Sequence, residues 1–511
     1  MSEASGKATT ANRVYALDAL RGLAILAMLL AGQLPFGHGA LPAWMYHAQE
    51  PPPHHEWLGN VPGITWVDLV FPFFIFCMGA AFPLAFARRM EQGVPTWRVG
   101  LSVLGRGFLL GFFALYVADI RPYVLSKEPG TEVWLLALLG FFLLFPVLTR
   151  LPEGWSVRTK WQLKAAGWAG VILFLALARY PEPKHPGFWL GRSDIIMVVL
   201  TNLAVFGSLI WILTRDRLLP RLGVLGIVFA LRLSNLPLPD TGWVSAVMHY
   251  SPAPWIFQMN YLQYLCIVIP GTIAGDLILN WTRASSEPAD HPEARPPWPQ
   301  DRCIAIAGLM FSFVVVLLVG LGTRVPVTDP TAPAAAVFAI DGVQYMRPWL
   351  LPATLLTFVM CGAGAWLLRR PGNATERLYQ RLFLWAIYWL VLGLVFESYE
   401  GGIKKDHPTM SYYFVTAGLA SCTLIGLSVI IDRFKCRRGW QLLIANGQNP
   451  MIAYAGINNF ITPVLFLTGG MSALTKLEAP PWLGFLRGLI IVLLMAVTVS
   501  WLTRRKIFWR T

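Results

Sequence analysis

Residues 63–74 read GITWVDLVFPFF, an almost unbroken apolar run whose only charged residue is Asp68. The run opens the apolar window 65–87, which is long enough to cross a bilayer as a helix, since a span takes about 20 apolar residues. Similar windows recur on both sides of it along the 511 residues. They lie at about 15–33, 65–87, 99–118, 132–149, 163–180, 195–214, 219–235, 262–281, 303–321, 349–368, 382–398, 411–432, 449–468 and 484–503. The sequence therefore predicts an all-α, polytopic transmembrane helical bundle of about 10–14 spans.

The composition supports a membrane protein and argues against a soluble one. Hydrophobic residues make up 56% of the chain, charged residues 13%, and the mean hydropathy is +0.55. A soluble domain has about 25% charged residues. The net charge of +14 does not indicate nucleic-acid binding, because the basic residues form short clusters between apolar runs. We expect no nucleic-acid partner.

The loops between the windows differ in their content of Lys and Arg. With residue 1 on the cytoplasmic side, the inside loops carry 27 of these residues and the outside loops 9. Cytoplasmic loops are enriched in Lys and Arg, so we expect both termini to be cytoplasmic. The polar, proline-rich segment 285–302 then reads as a cytoplasmic linker between an N-terminal bundle, 1–284, and a C-terminal bundle, 303–511.

Four of the eight histidines fall in the outer loop 33–65, just before Asp68, a candidate intramembrane carboxylate. They are His38, His47, His54 and His55. Histidine moves protons near neutral pH, and an ionisable group in a span is a functional candidate. A His–Asp pair could act as base and orienter. The histidines could instead be ordinary exposed residues, and Asp68 a carboxylate at a helix N-terminus. His and Asp could also ligate a metal. No zinc signature is present, so we expect no metal.

Two further places carry polar side chains inside apolar windows. Asp18 and Arg21 lie three residues apart on the first window, where they can form a buried ion pair. Arg21 could alternatively hold an anionic ligand, because guanidinium suits phosphate. Asn449 opens a late window, and an Asn in a span must find a partner. Motifs typical of ATPases, dinucleotide-binding enzymes and serine hydrolases are absent from the sequence, whereas a secondary transporter stays open.

Several of these segments resemble the heparan-α-glucosaminide N-acetyltransferase family. The first is LDALRGL at 17–23, which is similar to the family's LDxxRG helix, followed by HHEWLG at 54–59, GIT at 63–65 and DLVFPFF at 68–74. In the last third, IKKD at 403–406, SY at 411–412 and GQNPM at 447–451 are also similar. The likeness is specific over roughly the first 90 residues and moderate from about 400 to 465.

The resemblance implies transmembrane acetylation, with acetyl-CoA as co-substrate on the cytoplasmic side and an amino sugar acceptor on the opposite side. The family's catalytic histidine stands three residues before a Trp, which places it at His54. His55 is adjacent, and Tyr46-His47-Ala48 echoes the family's aromatic-x-His-Ala context. Residues 60–62 interrupt the family's spacing, so all three histidines stay candidates, with His54 first.

The resemblance also assigns binding roles. The family's Asp falls on Asp68 and its C-terminal Asn on Asn449, while Gln33 stands where the family has an Asn at the end of the first helix. We expect Arg21, Asp18, Gln33, Lys405 and Asn449 to bind acetyl-CoA or the acceptor.

We therefore expect an acetyl-CoA-dependent acyltransferase that acetylates an extracytoplasmic amino sugar or related glycan. His54 would act as general base or as transient acetyl carrier, with Asp68 orienting it. The alternatives are a transporter of a sugar or cell-wall fragment and a non-catalytic scaffold. The expected location is a bacterial inner membrane, with the histidine loop periplasmic. The expected partners are the lipid bilayer, acetyl-CoA and the sugar acceptor, and a homodimer is compatible with this picture.

Overall fold

A computed structural model describes residues 14–36, 41–235, 242–284, 296–327, 337–340, 342–477 and 480–510. His38 and most of the predicted linker 285–302 lie outside the described residues.

Nineteen α-helices run through the described residues. They are α1 Tyr15–Ala31, α2 Trp66–Glu91, α3 Thr96–Asp119, α4 Pro122–Leu125, α5 Thr131–Leu148, α6 Val157–Leu177, α7 Ile195–Leu213, α8 Leu218–Ser234, α9 Trp243–Met248, α10 Leu265–Ala284, α11 Gln300–Gly322, α12 Leu350–Leu367, α13 Ala374–Tyr399, α14 Met410–Ser428, α15 Arg437–Gln448, α16 Pro450–Gly456, α17 Thr462–Leu467, α18 Gly470–Thr475 and α19 Pro481–Arg504. Short 3₁₀ helices occupy Ala43–Met45 and Met259–Tyr264, and π-helical turns occupy Val429–Arg433 and Ile457–Ile461.

A small antiparallel sheet follows α11. Its strands are β1 Val325–Pro326, β2 Val337–Ile340 and β3 Val343–Met346, in the order β1-β3-β2. Phe338 lies opposite Tyr345 in the register. The sheet is a local addition to an otherwise helical fold, and it fixes the backbone directly after α11.

Eleven helices in the described parts of the chain are long and apolar enough to cross a membrane. They are Trp66–Glu91, Thr96–Asp119, Thr131–Leu148, Ile195–Leu213, Met259–Ala284, Gln300–Gly322, Leu350–Leu367, Ala374–Tyr399, Met410–Arg433, Pro450–Leu467 and Pro481–Arg504. The prediction of a polytopic helical bundle with 10–14 spans is thus confirmed. The remaining three predicted windows coincide with α1, α6 and α8. The cytoplasmic position of the termini stays a prediction.

The described helices form two compact units that interleave along the chain. The first draws on 1–24, 42–84 and 270–447. Within it α14 packs against α11 and α13, and every residue of α14 is buried. A spanning helix that is buried on all sides is surrounded by protein and not by lipid, so α14 forms the centre of this unit.

The second unit draws on 25–41, 85–269 and 448–511. In it α3 packs against α7, and α5 against α6 and α17. Two of its buried carboxylates have polar partners: Arg192 contacts Asp119 at 2.9 Å, and the Tyr454 hydroxyl donates to Asp194 at 2.9 Å. The predicted division into bundles 1–284 and 303–511 stays a prediction.

Candidate active site

The site begins where the loop before α2 enters the helix. Thr65 directly precedes α2, and Asp68 lies in the first turn with its side chain fully buried. Asp68 Oδ2 accepts hydrogen bonds from the backbone N–H groups of Thr65, at 2.9 Å, and Ala48, at 3.2 Å. A first-turn side chain that accepts the N–H of the residue before the helix is half of a capping box. The helix N-terminus thereby fixes the carboxylate and favours its negative charge.

Pro72 leaves the backbone carbonyl of Asp68 without its normal helical partner, because proline has no N–H to donate to the residue four positions earlier. The buried hydroxyl of Tyr412, on α14, donates to this carbonyl at 2.9 Å. The central helix of the unit therefore ties down the turn that carries Asp68. The proline that interrupts the quoted apolar run is what makes this contact available.

His47 is the histidine that meets the buried carboxylate. Its Nδ1 lies 2.6 Å from Asp68 Oδ1, and its side chain remains 27% exposed. A carboxylate only accepts, so we assign the Nδ1 proton to His47 donating to Asp68. The lone pair then resides on Nε2, the nitrogen that can take a proton from a substrate.

Lys405 brings a cation to the same imidazole from a distant part of the sequence. Its Nζ lies 3.0 Å from His47 Nδ1 and 3.2 Å from Nε2. Because Nδ1 already donates to Asp68, the hydrogen bond from the ammonium goes to the lone pair of Nε2. The loop that carries Lys405 is anchored next to the histidine loop, as the Gly63 N–H donates to the Ile403 carbonyl at 2.7 Å. His47, Asp68 and Lys405 thus form one group.

His54, which the spacing to Trp57 favours, and the adjacent His55 lie elsewhere on the loop. His54 is exposed to solvent. His55 adopts a positive φ of 55°, its Nδ1 lies 3.3 Å from the Glu50 carbonyl, and its ring packs edge-on against Tyr46. Trp57 itself is 51% exposed, so it does not orient His54 as a buried anchor would. The geometry favours His47, and the catalytic role of each histidine stays a prediction.

Arg21 and Asp18 pair as the sequence predicted, with Nη1 and Oδ1 3.7 Å apart. Arg21 also donates to two backbone carbonyls, those of Gly447 at 3.3 Å and Cys77 at 3.2 Å. Cys77 is nine residues after Asp68 on α2, a rise of about 13 Å along the axis. The structure therefore places Arg21 deeper along α2 than the His47 group, and its ligand-binding role stays a prediction.

Two of the matched motifs pack directly against each other at this depth. A Cβ on Gly22 would lie 1.8 Å from the Leu443 carbonyl oxygen, and a Cβ on Gly447 would lie 1.8 Å from that of Asp18. Such distances exclude any side chain at either position. The LDALRGL segment and the GQNPM segment are joined here by close helix packing.

Gln33 and Asn449 both belong to the second unit. Gln33 is half-buried at the end of α1, where its backbone packs against Gly488. Asn449 is buried, and both the NH₂ group and the oxygen of its side-chain amide form hydrogen bonds with the C-terminal segment. It donates to the Ile507 carbonyl at 2.7 Å and accepts from the Trp509 N–H at 3.2 Å. These contacts provide the partners that an Asn side chain in a span needs. The role of Asn449 in ligand binding stays a prediction.

Arg324 is a functional candidate that the sequence reasoning missed. It follows α11, and its Nη2 donates to the Ala48 carbonyl at 2.6 Å, directly beside His47. Burial lowers the pKa of Arg324 to about 10, and the nearby Asp68 carboxylate opposes this shift. The guanidinium is still charged at neutral pH. The signal that could have found it is a cation directly after a span, on the side where cations are few.

A cavity of about 710 Å³ opens beside this group and has His47, Thr65 and Arg324 in its wall. A volume of this size suits a small organic ligand. In the described part of the chain, no cluster of three or more His, Cys, Asp or Glu side chains has the arrangement of a metal site. The cavity wall thus presents the His47 base, the Arg324 guanidinium and an apolar flank, while Asp68 and Lys405 contact His47 from outside this wall.

Fold and site together define an integral, multi-pass membrane protein with a candidate proton-transfer site at the end of a span. The model of one protein family matches residues 13–278, more than half of the chain. The chain belongs to this family, which is described as a domain of unknown function, DUF5009.

Two curated relatives share part of the sequence. The chain is 25% identical to heparan-alpha-glucosaminide N-acetyltransferase of Mus musculus over 211 residues, which are 37% of this chain and 29% of the relative. It is 29% identical to the protein of the same name from Homo sapiens over 201 residues, 36% of this chain and 26% of the relative. The matches thus span less than a third of the curated relatives' length. They support the family resemblance seen in the motifs.

Proposed function

We propose that this protein is a membrane acyltransferase that moves an acetyl group from acetyl-CoA to an amino sugar. The observation that carries the proposal is the contact of 2.6 Å between His47 and Asp68 at the wall of a ligand-sized cavity. The names of the two relatives, both N-acetyltransferases acting on a glucosaminide, support the choice of reaction. A histidine oriented by a buried carboxylate is suited to removing a proton from an attacking amine.

In the proposed reaction the acceptor amine attacks the acetyl carbonyl carbon, a C–N bond forms and the C–S bond of acetyl-CoA breaks. The proton leaves the amine for His47 Nε2 and is then passed to the departing CoA thiolate, so charge and atoms balance. Asp68 keeps the Nδ1 proton in place and stabilises the imidazolium that forms. Transfer through an acetyl group carried on Nε2 uses the same residues and remains the alternative route.

Lys405 would have two roles in this scheme. In the described state its ammonium donates to the Nε2 lone pair, so an incoming amine must take its place. Displaced by a short distance, the ammonium can stabilise the oxyanion of the tetrahedral intermediate. Lys405 is therefore assigned to the acyl-transfer step, and Asp68 to positioning.

The test is acetyl transfer by purified protein in nanodiscs, with radiolabelled acetyl-CoA and glucosamine as probes. We expect His47→Ala to lower the rate by about 100-fold or more, the range for loss of a general base. His54→Ala is the matched control, because this histidine lies on the same loop but is exposed. It should retain most of the activity.

Two results would overturn the proposal. Loss of transfer in His54→Ala with full activity in His47→Ala would return the catalytic role to His54. Uptake of amino sugar into liposomes without consumption of acetyl-CoA would instead identify a transporter. Thermal stabilisation by acetyl-CoA is an independent check, since a ligand at 100 times its Kd adds about 2.7 kcal/mol.

A further inference from the structure

The cavity beside His47 is bounded on one side by a spanning helix. Val315, Val319 and Gly322 of α11 line it, at spacings of four and three residues, so they form one stripe along the helix. Gly322 is the last residue of α11, and Val315 lies seven residues earlier, a distance of about 10 Å along the axis. The cavity wall therefore extends from the end of the span toward the hydrocarbon interior.

The two valines of this stripe are largely exposed among the described residues. Val315 is 62% exposed and Val319 51% exposed, and α11 is one of the eleven candidate spans. The exposed face of a spanning helix contacts lipid chains. The cavity is thus continuous with an apolar surface at membrane depth, where a hydrocarbon chain can enter from the side.

The opposite end of the cavity is polar and carries the positive charge of Arg324, which can bind an anion. Arg324 lies in the cavity wall, where its Nη2 donates to the Ala48 carbonyl, and within the described residues its buried Nε has no hydrogen-bond partner. Its neighbour Arg347 is already paired with Glu397, at 2.6 Å. A guanidinium with a free donor at the edge of the apolar region is suited to a phosphate group.

We propose that the acceptor is an amino sugar linked through a phosphate to a lipid, with its hydrocarbon chain along Val315 and Val319, its phosphate at Arg324 and its amine at His47. The inference rests on the proposed acetyl transfer and adds the class of acceptor. The phosphate is a binding group only, and the bonds made and broken are those of the acetyl transfer. A soluble sugar phosphate would satisfy Arg324 but leave the apolar stripe unused.

The experiment compares three acceptors in nanodiscs containing the full-length protein. The probes are glucosamine 1-phosphate, decyl glucosaminide, and glucosamine 1-(decyl phosphate), which has both the charge and the chain. We expect the last to have a KM at least tenfold lower than either of the others. Binding of the same three probes without acetyl-CoA, measured by native mass spectrometry, should follow the same order.

Substitutions of Val315 and Arg324 test separately how the apolar end and the charged end of the cavity contribute to the difference in KM. Val315→Trp should raise the KM for glucosamine 1-(decyl phosphate) at least tenfold and leave glucosamine 1-phosphate unchanged. Val395→Trp is its matched control, because Val395 is also 62% exposed on a spanning helix but does not line the cavity. Arg324→Gln should abolish the preference for glucosamine 1-(decyl phosphate) over decyl glucosaminide, and Arg324→Lys should retain part of it.

The possible outcomes separate this inference from the acetyl-transfer proposal. Equal KM values for glucosamine 1-phosphate and its decyl ester, or equal effects of Val315→Trp and Val395→Trp, would refute the lipid-linked acceptor while transfer itself stands. Preference for decyl glucosaminide over the phosphate-containing lipid would refute the role of Arg324. Absence of His47-dependent transfer to all three probes would refute the proposed function, and the binding order would then decide the ligand class alone.

Discussion

Replacing Asp68 by Asn tests whether this carboxylate sets the protonation state of His47. In the native site, Oδ2 accepts two backbone N–H groups and Oδ1 accepts the Nδ1 proton of His47. In Asp68→Asn, the amide oxygen must stay with the two backbone donors, so the NH₂ group faces His47. Nδ1 must then accept, the ring proton moves to Nε2, and the lone pair that receives the substrate proton is lost.

The expected effect on the rate is large and the effect on stability moderate. Without a lone pair on Nε2 the contribution of the general base disappears, which lowers transfer by about 100-fold or more. The backbone donors remain satisfied, so the free energy of unfolding should fall by only about 1–3 kcal/mol, the cost of a weakened buried hydrogen bond. Acetyl transfer in nanodiscs and thermal unfolding of the same samples measure the two effects.

Glu376→Gln provides the matched control. Glu376 is also buried in the same unit and accepts the backbone N–H groups of Trp298 and Gly372, each at 2.7 Å. Its two oxygens each accept one of these N–H groups, and an amide keeps only one acceptor oxygen. Its replacement should therefore lower stability at least as much as Asp68→Asn and leave the rate unchanged. The reasoning fails if Asp68→Asn transfers acetyl at the native rate, or if Glu376→Gln loses activity to the same degree.

Three further expectations concern the scaffold and its orientation. Tyr412→Phe removes the hydroxyl that donates to the carbonyl four residues before Pro72, and should cost about 1–3 kcal/mol of unfolding free energy. In a Pro72→Ala background, which restores a helical N–H, the cost should shrink, and equal costs in a double-mutant cycle would contradict the account. Gly22→Ala places a Cβ 1.8 Å from a backbone oxygen and should lower the melting temperature strongly, whereas Gly308→Ala, with open space around its Cβ, should leave it unchanged or raise it. Reporter tags at position 95 and position 330 should report the cytoplasm and the opposite side respectively, and an outside signal at 95 would overturn the orientation inferred from Lys and Arg.

The choice among the histidines depended on information that no local pattern contains. Spacing to Trp57 favoured His54, on the assumption that this ring is a buried anchor, but half of the Trp57 side chain is exposed. The path of the loop is instead determined by the hydrogen bonds that the backbone N–H groups of Ala48 and Thr65 donate to the Asp68 carboxylate. Ala48 and Asp68 are 20 positions apart, so the residue that meets Asp68 follows from the folded loop and not from its spacing to a neighbour.

The sequence by itself determined the class of protein, because hydrophobic runs of span length have few stable alternatives to a membrane helix. It also identified Asp68 as a functional candidate, since an ionisable group in an apolar span is costly. Only the tertiary structure decided which groups surround that carboxylate. Lys405 is 358 positions from His47, and Arg324 is 276 from Ala48, and such contacts arise from helix packing, which no sequence period records. The site is therefore a product of long-range packing on a scaffold that local hydrophobicity already defines.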